Sequence, residues 1–296
     1  MKRHSNSPAS ILAQLKNIAK ANNVVFAEIL NRYAIERILK RIELSSRGNQ
    51  CILKGGCLFI LWSDGFSYRP TMDADLEIRG RGDIVAIEEL FHEVANIVPG
   101  EPDGISVDER SIRVGSIRAD DEYGGVRAVM IVHIGKVRVH VQFDIGIGDA
   151  ITPLARKNVF PALLEMSPPR IKVYPKATVI AEKLETIAKR GLANSRMKDY
   201  YDLWVLSREE CADLSEIANA VVRTFARRKT EMPRECPYGL TQEFAQNADK
   251  TSQWAAFVRK SRLTGLAPDF SKVVSSIHDF YNKIQVETRG RSLLIQ

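Results

Sequence analysis

The sequence predicts an α+β fold, with a mixed first half around one sheet and a helical second half. Three observations carry this. Residues 137–147 alternate without a break: Val137, Val139, Val141, Phe143, Ile145 and Ile147 fall on one face, and Arg138, His140, Gln142, Asp144 and Gly146 on the other. Helical periodicity precedes that strand, so helices and strands mingle around one sheet. After Pro168-Pro169 and Tyr174-Pro175 the pattern becomes helical almost to its end. The expected division is a first domain over 1–165 and a helical domain over 166–296.

In chain order, a first helix carries Ile11, Leu12, Leu15, Ile18 and Ala19 at helical spacing, with Ser10 as its cap. In a second, longer helix Val25, Ile29, Tyr33, Ile35, Ile38 and Leu39 alternate with Arg and Lys. The turn residues Ser45-Ser46-Arg47-Gly48-Asn49 end it. A strand over 50–54, a helix over 55–62, a loop through Ser63-Asp64-Gly65 and a strand over 73–79 follow. Ile84, Ile87, Leu90, Phe91 and Val94 mark a helix ending near Pro99-Gly100. Residues 126–134 form a β-branched strand joined to 137–147 by a tight Gly135-Lys136 turn. In the second half the helix stripes are Ile180/Leu184/Ile187/Ala188, then Tyr200/Leu203/Trp204/Leu206, then Ile217/Ala220/Val221/Phe225.

A length of 296 residues is enough for two domains. The 45% hydrophobic and 27% charged content is ordinary for a globular protein and excludes a disordered or fibrous chain. A net charge of +7 tilts the choice of partner toward polyanions. Cys51, Cys57, Cys211 and Cys236 form no Cys-x-x-Cys pair and have no histidine at zinc spacing, which points to reduced structural thiols. No segment reaches the ~18 apolar residues of a membrane span, and the polar leader has no apolar signal core. The expected location is cytoplasmic, with no membrane partner.

The chemistry concentrates in Leu53-Lys54-Gly55-Gly56-Cys57-Leu58-Phe59 and Arg69-Pro70-Thr71-Met72-Asp73-Ala74-Asp75-Leu76-Glu77. Residues i and i+2 of a strand share a face, so Asp73 and Asp75 project together while Ala74, Leu76 and Ile78 face the core. Paired carboxylates repel unless a cation sits between them. Asp144 adds a third if its strand lies beside theirs. Three hard oxygen ligands suit Mg²⁺, which keeps other positions for water and phosphates. Metal ions held there can orient a nucleoside triphosphate for in-line displacement. The Gly55-Gly56 backbone can approach a phosphate closely, and the helix after it can offer N–H groups.

This constellation resembles the nucleotidyltransferase superfamily of the DNA polymerase β type. More closely it resembles the AbiEii/AbiGii toxin family, which includes the MenT toxins. The matching stretches continue through Phe143-Asp144-Ile145-Gly146-Ile147-Gly148-Asp149, then 174–185, then 194–203 with Lys198-Asp199-Tyr200-Tyr201-Asp202-Leu203. The resemblance implies a polymerase-β-like nucleotidyltransferase domain followed by a helical C-terminal domain. It makes Asp73 and Lys183 central, with the Lys198-Asp199 pair completing the site. It further implies a toxin with a cognate antitoxin, moving nucleotides from an NTP to the 3′ acceptor end of tRNA. Thr71 matches a hydroxyl that the partner protein phosphorylates in some members. Gly56 stands where the superfamily often carries Ser, losing one hydroxyl ligand.

The residues leave several choices open. Lys183, at the margin of its helix's buried stripe, points its ammonium into a polar cavity or pairs with a neighbouring Glu. Asp199 and Asp202 share a helix face within reach of Lys198, either in the site or as a salt-bridge network between helices. Arg69 grips a phosphate or caps its loop. His140 is a base or a surface histidine, and Asp149 supports Asp144 or ends its strand. Arg223, Arg227, Arg228, Lys229 and Arg234 form an RNA footprint or a solvated helix end. The expected function is a Mg²⁺-dependent, toxin-type nucleotidyltransferase that blocks translation within an abortive-infection system. The candidate catalytic residues are Asp73, Lys183 and Asp199. Gly55, Gly56, Arg69, Thr71 and Lys183 are the candidate nucleotide ligands, and Asp73, Asp75 and Asp144 the candidate metal ligands. The alternatives are a silent nucleotide- or partner-binding module and a transferase acting on a small molecule such as an aminoglycoside.

Overall fold

Alternating and helical periodicities sort the chain into two units in the computed structural model, which describes residues 6–63, 69–117, 125–208 and 213–292. Residues 1–5, the Asp64-Gly65 part of the loop and Cys211 lie outside them. One unit comprises 1–148 with 156–173, the other 149–155 with 174–296.

In the first unit, helix α1 (Pro8–Ala21) begins three residues earlier than a Ser10 cap implies. Ser7, not Ser10, is the cap: its hydroxyl accepts from the Ser10 N–H at 3.3 Å, and Pro8 takes the first helical position. Helix α2 (Phe26–Leu44) is buried on more than its apolar stripe. Arg37 and Glu36 are fully buried and pair at 2.7 Å, and Arg41 grips Asp103 through two bonds of 2.6 and 3.1 Å. Leu163 N–H donates to Glu36 at 2.8 Å, so Glu36, Arg37, Arg41 and Asp103 each face an opposite charge or a donor.

Strand β1 (Cys51–Lys54) leads through a 3-10 turn (Gly55–Cys57) into the short helix α3 (Leu58–Trp62), where one continuous helix over 55–62 was expected. Strand β2 (Ala74–Ile78) and helix α4 (Ile84–Asn96) follow, the latter capped by Asp83, which accepts from Ala86 N–H at 3.0 Å. Strands β3 (Ile105–Ser116), β4 (Val126–Ile134) and β5 (Val137–Ile147) form a meander. Two strands unforeseen in the sequence, β6 (Arg156–Val159) and β7 (Arg170–Val173), complete a seven-stranded sheet of order β3-β4-β5-β2-β1-β7-β6. Each has four residues; β6 is exposed throughout, and β7 alternates, burying Ile171 and Val173, over too short a run to stand out. The β2–β5 and β1–β7 pairs are parallel and the rest antiparallel, making the sheet mixed. On the apolar face of β5 Val139, Val141, Phe143 and Ile145 are buried while Ile147 at its end is exposed, and Phe143 lies 5.3 Å from Phe91 of α4 between ring centroids. The opposite face is left to polar side chains.

The second unit holds α5 (Lys176–Arg190), α6 (Met197–Ser207), α7 (Leu214–Arg227), α8 (Gln242–Gln246), α9 (Ala248–Lys260) and α10 (Phe270–Ser292). Tyr200 anchors its core, stacked on Phe244 at 5.7 Å and edge-on to Phe270 at 5.2 Å, with its hydroxyl donating to Gly239 O at 3.0 Å. No described helix is long and apolar enough to cross a membrane.

Candidate active site

Where β1 ends, the backbone turns against the carboxylate strand. Gly55 has φ +68°, a left-handed conformation that favours glycine, and a Cβ there would lie 1.9 Å from Asp75 Oδ2. At Gly56 a Cβ would stand 2.7 Å from Thr71 Oγ1 and 3.5 Å from Arg69 Nη1. The space a serine would need is therefore held by the Thr71 hydroxyl. Thr71 donates to the Asp73 carbonyl at 3.2 Å, and its Oγ1 lies 3.4 Å from Asp73 Oδ1. Arg69 is buried, donates to Pro70 O at 3.4 Å and lies 5.9 Å over the Phe59 ring. Gly55, Gly56, Arg69, Thr71, Asp73 and Asp75 thus form one contiguous patch.

Strand register extends this patch into a row of four charges. Arg127 of β4 is opposite Asp144 of β5, Asp144 is beside Asp75 of β2, and Asp75 is opposite Lys54 of β1. Two carboxylates side by side on neighbouring strands repel, and a cation at each end of the row offsets that. Arg127 Nε and Nη2 each reach an Asp144 oxygen at 2.8 Å, and Gln142 Nε2 donates to Oδ1 at 3.1 Å. The hydrogen bond to Asp144 raises the Arg127 pKa against burial, with further help from the charges of Asp144, Asp73 and Asp75. One guanidinium therefore feels all three carboxylates. At the other end Lys54 Nζ lies 3.5 Å from Glu77 Oε2, and Glu77 is fully buried. Gly146 makes room for this pair, since a Cβ there would lie 2.7 Å from Lys54 Nζ and 2.8 Å from Glu77 Oε2.

Asp144, expected as a third metal ligand, is held by Arg127 in this structure. Among the described residues no three His, Cys, Asp or Glu side chains are gathered into a ready metal centre. Lys54, Glu77 and Arg127 were missing from the sequence-based site. Glu77 lies two residues past Asp75, so strand period alone could have found it. Arg127 needs the β4–β5 register. Cys57 Sγ lies 3.5 Å from Asp73 O, and burial, with Asp75 and Asp73 nearby, pushes its thiol well up. That marks an inert structural thiol; Cys51, likewise buried, is pushed up to about 12.

In the helical unit Lys183 of α5 bridges to α6, with Nζ 2.6 Å from Asp199 Oδ1 and 2.8 Å from Asp202 Oδ2. Arg196 bonds the other Asp199 oxygen. Burial would raise the Asp199 pKa, but Lys183 and Arg196 outweigh it and hold the carboxyl below its usual range. Lys183 therefore pairs with aspartates rather than a glutamate. Lys198 is exposed, and Asp202 turns to Lys183 instead of to it. Arg228 leaves the expected RNA footprint: it is half-buried among Asp149 (3.3 Å), Glu182 (3.2 Å) and Glu185 (2.9 Å). Asp149 accordingly serves Arg228. His140 is exposed on β5, and Arg223, Arg227, Lys229 and Arg234 are exposed as well. Distance in sequence hid one more pair, Cys236 Sγ against His278 Nδ1 at 3.2 Å.

A family model described as nucleotidyl transferase AbiEii toxin, type IV toxin–antitoxin system, matches residues 37–276. Among solved structures, JHP933 from Helicobacter pylori is similar with a TM-score of 0.51 and 15% identity, over 90% of this chain and 96% of that one. A second H. pylori chain, described as a candidate nucleotidyltransferase, has a TM-score of 0.49 and 16% identity over the same shares. At these identities JHP933 speaks for the fold alone. A comparison with curated proteins finds no match. The family match takes in the glycine pair, the carboxylate strands and the Lys183–Asp199 helices, and the chain belongs to the nucleotidyl transferase AbiEii toxin family of type IV toxin–antitoxin systems.

Proposed function

We propose that this chain transfers nucleotides from an NTP, with Mg²⁺, to the 3′ acceptor end of tRNA, blocking translation in an abortive-infection response. Family membership supplies the coarse part: a toxin-type nucleotidyltransferase with a nucleotide substrate and a cognate antitoxin. The observation that carries the finer reading is the seat of Asp75 against Gly55, where a Cβ would lie 1.9 Å from the carboxylate. A turn whose backbone can face a phosphate and a carboxylate pair suited to a hard cation are one surface. The donor chemistry of Asp73, Asp75 and Asp144 fits a divalent cation, with Asp144 available once Arg127 releases it. When bound, such a cation supplies charge neutralisation to the phosphates and to the attacking hydroxyl.

The chain's own residues do the remainder. Backbone N–H groups after Gly55 receive a phosphate, and Arg69 lies beside them. Thr71 fixes the backbone at Asp73, so that carboxylate is positioned before substrate arrives. Catalysis on this reading is positioning and electrostatic stabilisation rather than covalent chemistry. Lys183 and Asp199 are assigned a part in transfer on the family resemblance. The exposed Arg223, Arg227, Lys229 and Arg234 and the net charge of +7 favour an RNA acceptor over a small molecule.

The test is incubation with each labelled NTP, Mg²⁺ and total RNA. Label is expected on tRNA, and Asp73→Ala should abolish it without lowering Tm, because Asp73 precedes β2 outside the apolar core. Label on a small acceptor, no label, or retained transfer by Asp73→Ala would each overturn the reading.

A further inference from the structure

The bidentate Arg127–Asp144 pair has two properties that a static cross-strand bridge does not need. It sits in line with Asp75 and Lys54, so Arg127 is the terminal cation of the charge row. Its guanidinium is also accessible, with the Arg127 side chain 44% exposed against 19% for Asp144. A planar fork that fits a carboxylate fits a phosphate equally well.

We propose that Arg127 is a triphosphate ligand which, before nucleotide arrives, is parked on Asp144 and masks it from divalent cations. This rests on the nucleotidyltransferase reading above and adds a residue to it. An arriving metal–triphosphate carries a cation for Asp144 and an anion for Arg127. Both partners can be exchanged at once, and neither charge is left bare at any stage. Without nucleotide, a metal ion alone must displace Arg127 and sit close to its guanidinium, cation beside cation, with no phosphate between them. The device makes metal occupancy at Asp144 depend on the triphosphate.

The experiment uses the full chain and two probes, Mn²⁺ alone followed by electron paramagnetic resonance, and inorganic tripolyphosphate in the presence of Mn²⁺. Arg127→Ala should bind Mn²⁺ alone about tenfold more tightly than wild type, the effect of one charge-assisted bond no longer competing. It should bind tripolyphosphate about tenfold more weakly for the same reason. Adding Asp144→Asn to Arg127→Ala should erase the gain in Mn²⁺ affinity. Thermal melts guard against misfolding, and Arg127→Gln, which keeps a polar side chain on β4 without the charge, serves if the alanine variant unfolds. Unchanged affinities in a folded variant, with wild type binding both probes, overturn the role of Arg127 while the nucleotidyltransferase reading stands. If neither wild type nor variant binds Mn²⁺ or tripolyphosphate, that reading falls and the proposal with it.

Discussion

Gly55 bears two demands at once, a backbone demand and a space demand. Its φ of +68° strains any side chain that replaces it, by about 1–2 kcal/mol. The built Cβ at 1.9 Å from Asp75 Oδ2 adds a clash that only movement of Asp75 can relieve. Gly55→Ala should therefore lose transfer activity far out of proportion to its stability loss, read as labelled-nucleotide transfer against Tm. A variant whose activity falls no more than its Tm explains would separate Gly55 from the site. At this scale the sequence was readable where chemistry and period coincide: Gly55-Gly56 before an apolar helix start, and Asp75 and Asp144 on alternating strands. It was unreadable where the residue's partner comes from another strand. Arg127 is an unremarkable arginine until β4 sets it opposite Asp144. Arg228 looked like one more basic helix-end residue until Asp149, Glu182 and Glu185 surround it.

Between elements, the ion cluster joining α5 to α6 is the feature with the sharpest pH signature. The Asp199 side chain is 2% exposed and holds Lys183 and Arg196. Its folded pKa lies below the unfolded value of about 3.9, so the folded state binds its proton less readily than the unfolded one. The sign follows: Asp199 contributes stability above about pH 4, and that contribution fades as pH falls through the folded pKa. Asp199→Asn should cost about 3–5 kcal/mol near neutral pH, the range for breaking one partner of a buried pair. The gap between variant and wild type should narrow as pH falls below about 4, measured by urea unfolding across pH. A gap constant down to pH 3 would mean that the cluster holds by packing rather than charge. Elements with long, one-sided periodicity, such as β5 and α5, were legible from sequence. Strands β6 and β7 were not, because β6 buries no side chain and the four residues of β7 alternate too briefly to stand out beside the prolines at 168 and 169. Helix α2 misled differently: Glu36, Arg37 and Arg41 break its apolar stripe yet are buried, answered by groups as distant as Asp103 and Leu163.

For the molecule as a whole, net charge is a poor guide until each cation is assigned to a partner or to solvent. The formal +7 counts Arg227 and Arg228 equally, though they are adjacent and do opposite things. Arg227 closes α7 exposed, whereas Arg228 is half-buried among three carboxylates, its pKa raised by Glu182, Asp149 and Glu185 against the effect of burial. If the chain binds tRNA through its basic surface, affinity should fall with salt, and each phosphate contact removed should flatten the slope by about 0.9. Arg223→Ala with Arg227→Ala should weaken tRNA binding and flatten that slope while leaving Tm near wild type. Arg228→Ala should do the reverse, lowering Tm by removing the cation that Asp149, Glu182 and Glu185 share and leaving the slope unchanged. Filter binding over a salt series, beside thermal melts of the same variants, reads both. An unaltered salt slope in the Arg223/Arg227 variant would remove this face from RNA recognition, and the acceptor would have to be held elsewhere on the chain.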